Sequence, residues 1–150
     1  DDRALQMWVV EPSFGDPPRA ERLVEDIRLA LEGSLDVPAR LAARDEAYRP
    51  TREPIRAAAR VVVIEGESAP GVASPVILEV RAHDAPGLLF RIAQAIAQAG
   101  ATIAGAKVST LGSEAIDVFF LEDQAGHPLS PGVRSDVLAA VRACLDSSSG

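Results

Sequence analysis

The side chains best equipped for chemistry in this chain lie in a few short runs, and most of them lack the companions that catalysis requires. His83-Asp84 has the residue types of a metal-dependent phosphohydrolase dipeptide, but such a centre needs several further His or Asp ligands. The only other histidine is His127, in a predicted turn. Gly112-Ser113 followed by Glu114 and Asp117 resembles a nucleotidyl-transfer motif only faintly, because no second spaced carboxylate accompanies it and the pair falls where two strands must turn. Cys144 has no histidine within helical reach, and the chain contains no Gly-rich phosphate loop, so nucleophilic catalysis has no parts. Binding is the chemistry that remains. In Asp84-Ala85-Pro86-Gly87 a strand gives way at once to a helix, which gathers backbone N–H donors where a small anionic ligand can use them. Pro86 has a φ suited to the first helical turn, and Gly87 lets another group approach the backbone closely. Asp84 has two readings: a residue that favours the helix dipole, or an acceptor for a ligand ammonium beside carboxylate-binding amides.

The elements that position this turn are legible from periodicity. Val76, Leu78 and Val80 alternate with Ile77, Glu79 and Arg81, which predicts a strand over 76–82. A helix over 86–99 follows, with Leu88, Ile92 and Ile96 on one stripe, Leu89 and Ala93 beside it, and Gly100 as its stop. Strands over 102–111 and 114–122 and a helix over 131–145 complete the series, the last capped by Ser130 with Pro131 in first position. The order βαββα is one strand short of a split βαβ sheet. The β-branched run 60–65 can supply that strand from upstream, as an antiparallel hairpin partner of 76–82 through the Gly/Ser/Pro loop 66–75. The fold class is therefore α+β, ferredoxin-like, with its edge strand donated from before the unit.

An internal repeat extends this reading to the N-terminal part. Residues 5–17 align without gaps on residues 116–128, with Glu11 on Glu122, Gly15 on Gly126 and Pro17 on Pro128. Each copy runs into an amphipathic helix, marked by Leu23, Ile27 and Leu31 in the first and by Val133, Val137 and Val141 in the second. The first copy starts with its strand already under way, as if cut through a duplicated unit. The expected organisation is a truncated first unit over 1–35, a helix and linker over 36–58, a second complete unit over 59–146 and a tail over 147–150. A helix over 35–49 starts at Asp36 or Val37, before Pro38; the arginines Arg49, Arg52, Arg56 and Arg60, interspersed with Pro50 and Pro54, read as a solvated linker rather than a phosphate-binding strip.

Composition narrows the partners. The chain has 150 residues and 47% hydrophobic content, enough for a packed core, and 15 basic against 22 acidic side chains give a formal charge of −7. That charge disfavours phosphate backbones and anionic lipid surfaces, so no nucleic-acid and no membrane partner is expected. No apolar run reaches the roughly 20 residues that span a bilayer, the N-terminus lacks the order of a signal peptide, and one cysteine, Cys144, reads as a small buried hydrophobe; a cytoplasmic location is expected. Trp8, Phe119 and Phe120 read as core or interface aromatics, and Lys107 as a solvated strand charge. Because Phe119 and Leu121 point away from Val118 and Phe120, both faces of that strand are apolar, and helices can cover only one. A partner surface, another unit or a second molecule, is expected on the other face, with strand 102–111 as a further pairing edge.

The motif Asp84-Ala85-Pro86-Gly87-Leu88-Leu89 followed by Gly100-Ala101-Thr102-Ile103 resembles the ACT domain, a small βαββαβ regulatory module that binds amino acids. More narrowly, 76–123 together with Val9-Val10-Glu11-Pro12-Ser13-Phe14-Gly15 and Ala39-Arg40-Leu41-Ala42-Ala43-Arg44 is similar to the C-terminal tandem ACT region of the bacterial PII uridylyltransferase/uridylyl-removing family. The resemblance implies a region that senses glutamine and controls uridylylation of a nitrogen-signalling PII protein through nucleotidyltransferase and phosphohydrolase domains elsewhere. Some relatives use adenylyl transfer instead. It implies magnesium in those catalytic domains and no cofactor, metal or catalytic residue here. It also implies ligand contacts from Asp84, Pro86, Gly87, Leu88, Thr102 and Ile103, often across two ACT units or a homodimer. The alternative is a ligand-free ACT-type dimerisation or assembly module.

Overall fold

The structure, a computed structural model, describes Met7, Val9 and residues 16–47, 58–65 and 76–146. These divide between two compact units, Asp1–Ala43 and Arg44–Gly150. The first contains α1 (Ala20–Leu31) and the start of α2 (Val37–Ala47); the second contains β1 (Arg60–Glu65), β2 (Val76–His83), α3 (Leu88–Gln98), β3 (Thr102–Leu111), β4 (Glu114–Glu122) and α4 (Pro131–Asp146).

In the first unit, α1 ends where Gly33 adopts a left-handed φ of 71°, with Ser34 N–H donating to Leu29 O at 2.9 Å and Gly33 N–H to Ala30 O at 3.1 Å. Asp36 caps α2 by accepting from Ala39 N–H at 2.9 Å. The predicted apolar stripe of α1 forms, but it has no cover among the described residues: Leu23, Ile27 and Leu31 are all exposed. Of the predicted first-copy strand only Met7 and Val9 are described, both exposed and outside any regular element. The remainder of that strand, with Trp8, lies outside the described residues, as do linker positions 48–57, loop 66–75 and tail 147–150.

The second unit is a four-stranded antiparallel sheet in the order β1-β2-β4-β3. β1 pairs with β2 from Arg60 opposite Arg81 to Glu65 opposite Val76, the place a closing strand would occupy, and β3 forms the other edge. The two-residue hairpin between β3 and β4 turns at Gly112, whose φ is 63°, while Ser113 keeps a negative φ. The run is thus a hairpin turn, the reading that its sequence favours. Helices α3 and α4 cover one face. The core joins Val76, Leu78 and Val80 of β2, Phe119 and Leu121 of β4, Leu88, Ile92 and Ile96 of α3, and Val137, Val141 and Leu145 of α4. Gly100, at φ 84°, stops α3: Ala101 N–H donates to Ile96 O and Gly100 N–H to Ala97 O. Ser130 Oγ accepts from Val133 N–H at 3.3 Å at the start of α4, as expected. Cys144 is half-buried against the core.

Candidate functional site

The turn between β2 and α3 differs from the sequence expectation in one respect. The helix starts at Leu88 and not at Pro86, because Ala85-Pro86-Gly87-Leu88 closes a β-turn first, with Leu88 N–H donating to Ala85 O at 3.1 Å. Gly87, at φ 74° and ψ 5°, has the conformation of the third residue of a type II turn, and Pro86 stands before it where that turn favours proline. Glycine is needed here for its left-handed backbone rather than for close approach alone. Asp84 N–H donates to Ser113 O at 2.9 Å, which ties the turn to the β3–β4 hairpin, and the Arg91 guanidinium donates to Pro86 O at 3.0 Å from one helical turn further along.

The corner is not sealed. Among the described residues no side chain caps the start of α3; Asp84 is exposed, Ala85, Pro86 and Gly87 are half-buried, and Leu88 is anchored in the core. The amides at this helix start can therefore meet an anionic group from solvent, with the Asp84 carboxylate beside them.

Thr102 and Ile103 lie elsewhere. His83, next to Asp84, pairs with Glu114 at one end of β4, whereas Thr102 pairs with Glu122 at the other. At a strand rise of about 3.3 Å per residue the two groups are roughly 25 Å apart along the sheet. A single unit brings Asp84, Pro86, Gly87 and Leu88 together and leaves Thr102, exposed, and Ile103, half-buried, at the opposite end. A pocket that used both sets would have to be shared between two units. Next to Ile103 the β3 register slips by one residue, a bulge before Gly105 that periodicity did not reveal.

Sequence reasoning did not reveal that Asp117 is buried. It lies on β4 between Ala115 and Phe119 on the helix-covered face, opposite Val80 of β2 and Val108 of β3, and it is 2% exposed. Among the described residues it is the one charged side chain in the core. One carboxyl oxygen, Oδ1, is buried without a hydrogen-bond partner. Burial pushes the Asp117 carboxyl above the usual carboxylate range; the Ser109 backbone N–H opposes that rise and the nearby Asp84 charge adds to it. The signal was present in the alternation itself, which puts position 117 on the same face as Phe119 and Leu121.

The other chemical candidates have structural roles. His127 sits in a tight turn in which Asp123 Oδ1 accepts from the backbone N–H groups of Ala125 and His127, each at 2.8 Å. The His127 backbone N–H is the main reason that the Asp123 carboxyl is held below its ordinary value, helped by the Ala125 N–H and the His127 ring. Among the described residues no three metal-ligating side chains converge, and no helix is long and apolar enough to cross a membrane. A cavity of about 260 Å³ lies between the start of β1 and the end of α4, lined by Ala59, Arg60, Val61, Arg142, Leu145 and Asp146.

Comparison with known proteins agrees with this architecture. The ACT domain family matches residues 76–128, from β2 to just beyond β4. A bifunctional uridylyltransferase/uridylyl-removing enzyme of Streptomyces coelicolor is 42% identical over 141 residues, 94% of this chain and 16% of the relative. Proteins of the same name from Mycobacterium tuberculosis and Gluconobacter oxydans are 37% and 32% identical over 152 residues each, covering 95% and 97% of this chain and 19% and 15% of their own lengths. The chain thus spans less than one fifth of the length of these relatives, while matching them along nearly all of its own. Residues 76–128, in the βαββ order that the structure shows, thus belong to the ACT domain family.

Proposed function

We propose that this chain is the regulatory ACT region of a bifunctional PII uridylyltransferase/uridylyl-removing enzyme, and that it binds an amino acid, glutamine, at the Asp84–Leu88 turn. The observation that carries this reading is the uncapped start of α3 beside an exposed aspartate, inside an ACT domain whose relatives bear that enzyme name. An α-carboxylate would be held by the amides at Gly87 and after it, and an α-ammonium by Asp84. Thr102 and Ile103 would contact the same ligand from a second ACT unit, since within one unit they lie at the far end of the sheet. Uridylyl transfer to and from a PII protein, and any magnesium it uses, would belong to other parts of the enzyme. Ligand binding would act by favouring one arrangement of paired units.

Calorimetric titration with L-glutamine tests this directly: saturable binding is expected, and binding no tighter than that of a control amino acid would overturn it. A second reading, a ligand-free assembly module, is favoured by the open face of the sheet. There Ile77 of β2 and Ile116, Val118 and Phe120 of β4 are half-buried, and among the described residues of this unit no helix lies over them.

A further inference from the structure

The proposed glutamine site accounts for Asp84 but leaves unexplained the buried acid beneath it. A carboxyl in a core costs stability unless hydrogen bonds or a counter-charge compensate it. Asp117 has the Ser109 N–H, but Oδ1 has no partner, and the charge acting most clearly on it is another carboxylate, that of Asp84. Among the described residues no cation is one of the groups whose charge acts on it. β2 presents Val80 and β3 presents Val108 opposite it; Lys107 alternates to the other face of β3, opposite Val118. From α3 Leu88, Ile92, Ala95 and Ile96 face the core; Arg91 donates to Pro86 O, its Nε is buried without a partner, and its field acts on Cys144 of α4 and not on Asp117. An unpaired acceptor in this position is unfavourable for the empty protein and becomes favourable once a cation reaches it.

The approach is short. On the helix-covered face, β3 is an edge strand whose Ala106, Val108 and Thr110 are exposed, and Val108, directly across from Asp117, is 40% exposed. The hydrogen bond from Asp84 N–H to Ser113 O holds the turn and the hairpin together around this corner. We propose that the corner formed by Asp84, the β3–β4 hairpin and Asp117 receives the ammonium group of the amino-acid ligand, with Asp117 Oδ1 as its buried acceptor and Asp84 at the rim. The inference rests on the reading of the turn as an amino-acid site. It adds the residue that distinguishes an amino acid from a plain carboxylic acid.

The test compares L-glutamine with its des-amino analogue, 4-carbamoylbutanoate, by calorimetry on the whole chain, as wild type and as Asp117→Asn. The wild type is expected to prefer glutamine by tenfold or more, and Asp117→Asn to lose that preference while binding the analogue as before. Retained far-UV circular dichroism confirms that the variant is folded. A measurement on the unaltered protein supports the same conclusion independently: in mildly acidic buffers of different ionisation enthalpy, glutamine binding should release protons as Asp117 ionises, and the analogue should not. Equal binding of the two ligands by the wild type, or an undiminished preference in Asp117→Asn, would overturn the role of Asp117 while leaving the turn as a binding site. Absence of binding of either ligand to the wild type would remove both readings together.

Discussion

Gly87 shows how much one residue type decides at this site. Its φ of 74° lies where side chains with a Cβ meet their own backbone, so Gly87→Ala should cost about 1 kcal/mol of stability and displace the first amides of α3. Urea denaturation would register the first effect and glutamine titration the second, as weakened binding. Asp117 makes a prediction of a different kind. Because burial raises its carboxyl above the usual range, the folded chain keeps this proton to a higher pH than the unfolded chain does. Its contribution to stability therefore falls as pH rises from the ordinary carboxylate value through the raised one. Asp117→Asn should remove that slope: about equal to the wild type at acidic pH and more stable than it at neutral pH, as read from denaturation at the two pH values.

Among the elements, α3 carries the turn, and its anchorage can be measured. Ile92 is fully buried under the sheet, so Ile92→Ala should destabilise the domain by about 2–5 kcal/mol, whereas Leu111→Ala, at a site 72% exposed on the β3 edge, should change it by less than about 0.5 kcal/mol. Much of this level was legible beforehand. Alternation and the Gly-Ser turn placed β3 and β4 within their observed bounds, and the β-branched run at Arg60 took the edge position that an incomplete βαββα order required. What could not be read has physical causes. Pro86-Gly87 suits either a first helical turn or a type II turn, and only the sign of φ at Gly87 separates them. Phe119 and Phe120 are equally apolar, so the sequence could not say which face the helices take; the structure buries Phe119 and leaves Phe120 on the open side. The slip at Gly105 arises from pairing between strands, which periodicity along one strand does not record.

For the whole molecule the open side of the sheet is the feature to test. If Ile116, Val118 and Phe120 meet a second copy, a lysine at their centre would place an unpaired ammonium in an apolar contact. The wild-type chain is then expected to sediment as a dimer at high concentration and Val118→Lys as a monomer. A monomeric wild type would remove the assembly reading. Of the candidate residues the structure keeps together only those at the turn; that Thr102 and Ile103 stand at the far end follows from antiparallel pairing and could not be inferred from a motif that names them together.

The position of β1 has a spatial consequence. Ala59 and Arg60, where the chain passes into the sheet, and Leu145 and Asp146, where the last helix finishes, line the same small cavity, and Arg60 is paired with Arg81 just before Asp84. The first strand and the end of the last helix of the second unit therefore meet on the rim that also carries the Gly87 turn. A ligand held at the Gly87 turn would thus lie near the start of β1 and the end of α4, and far from Thr102.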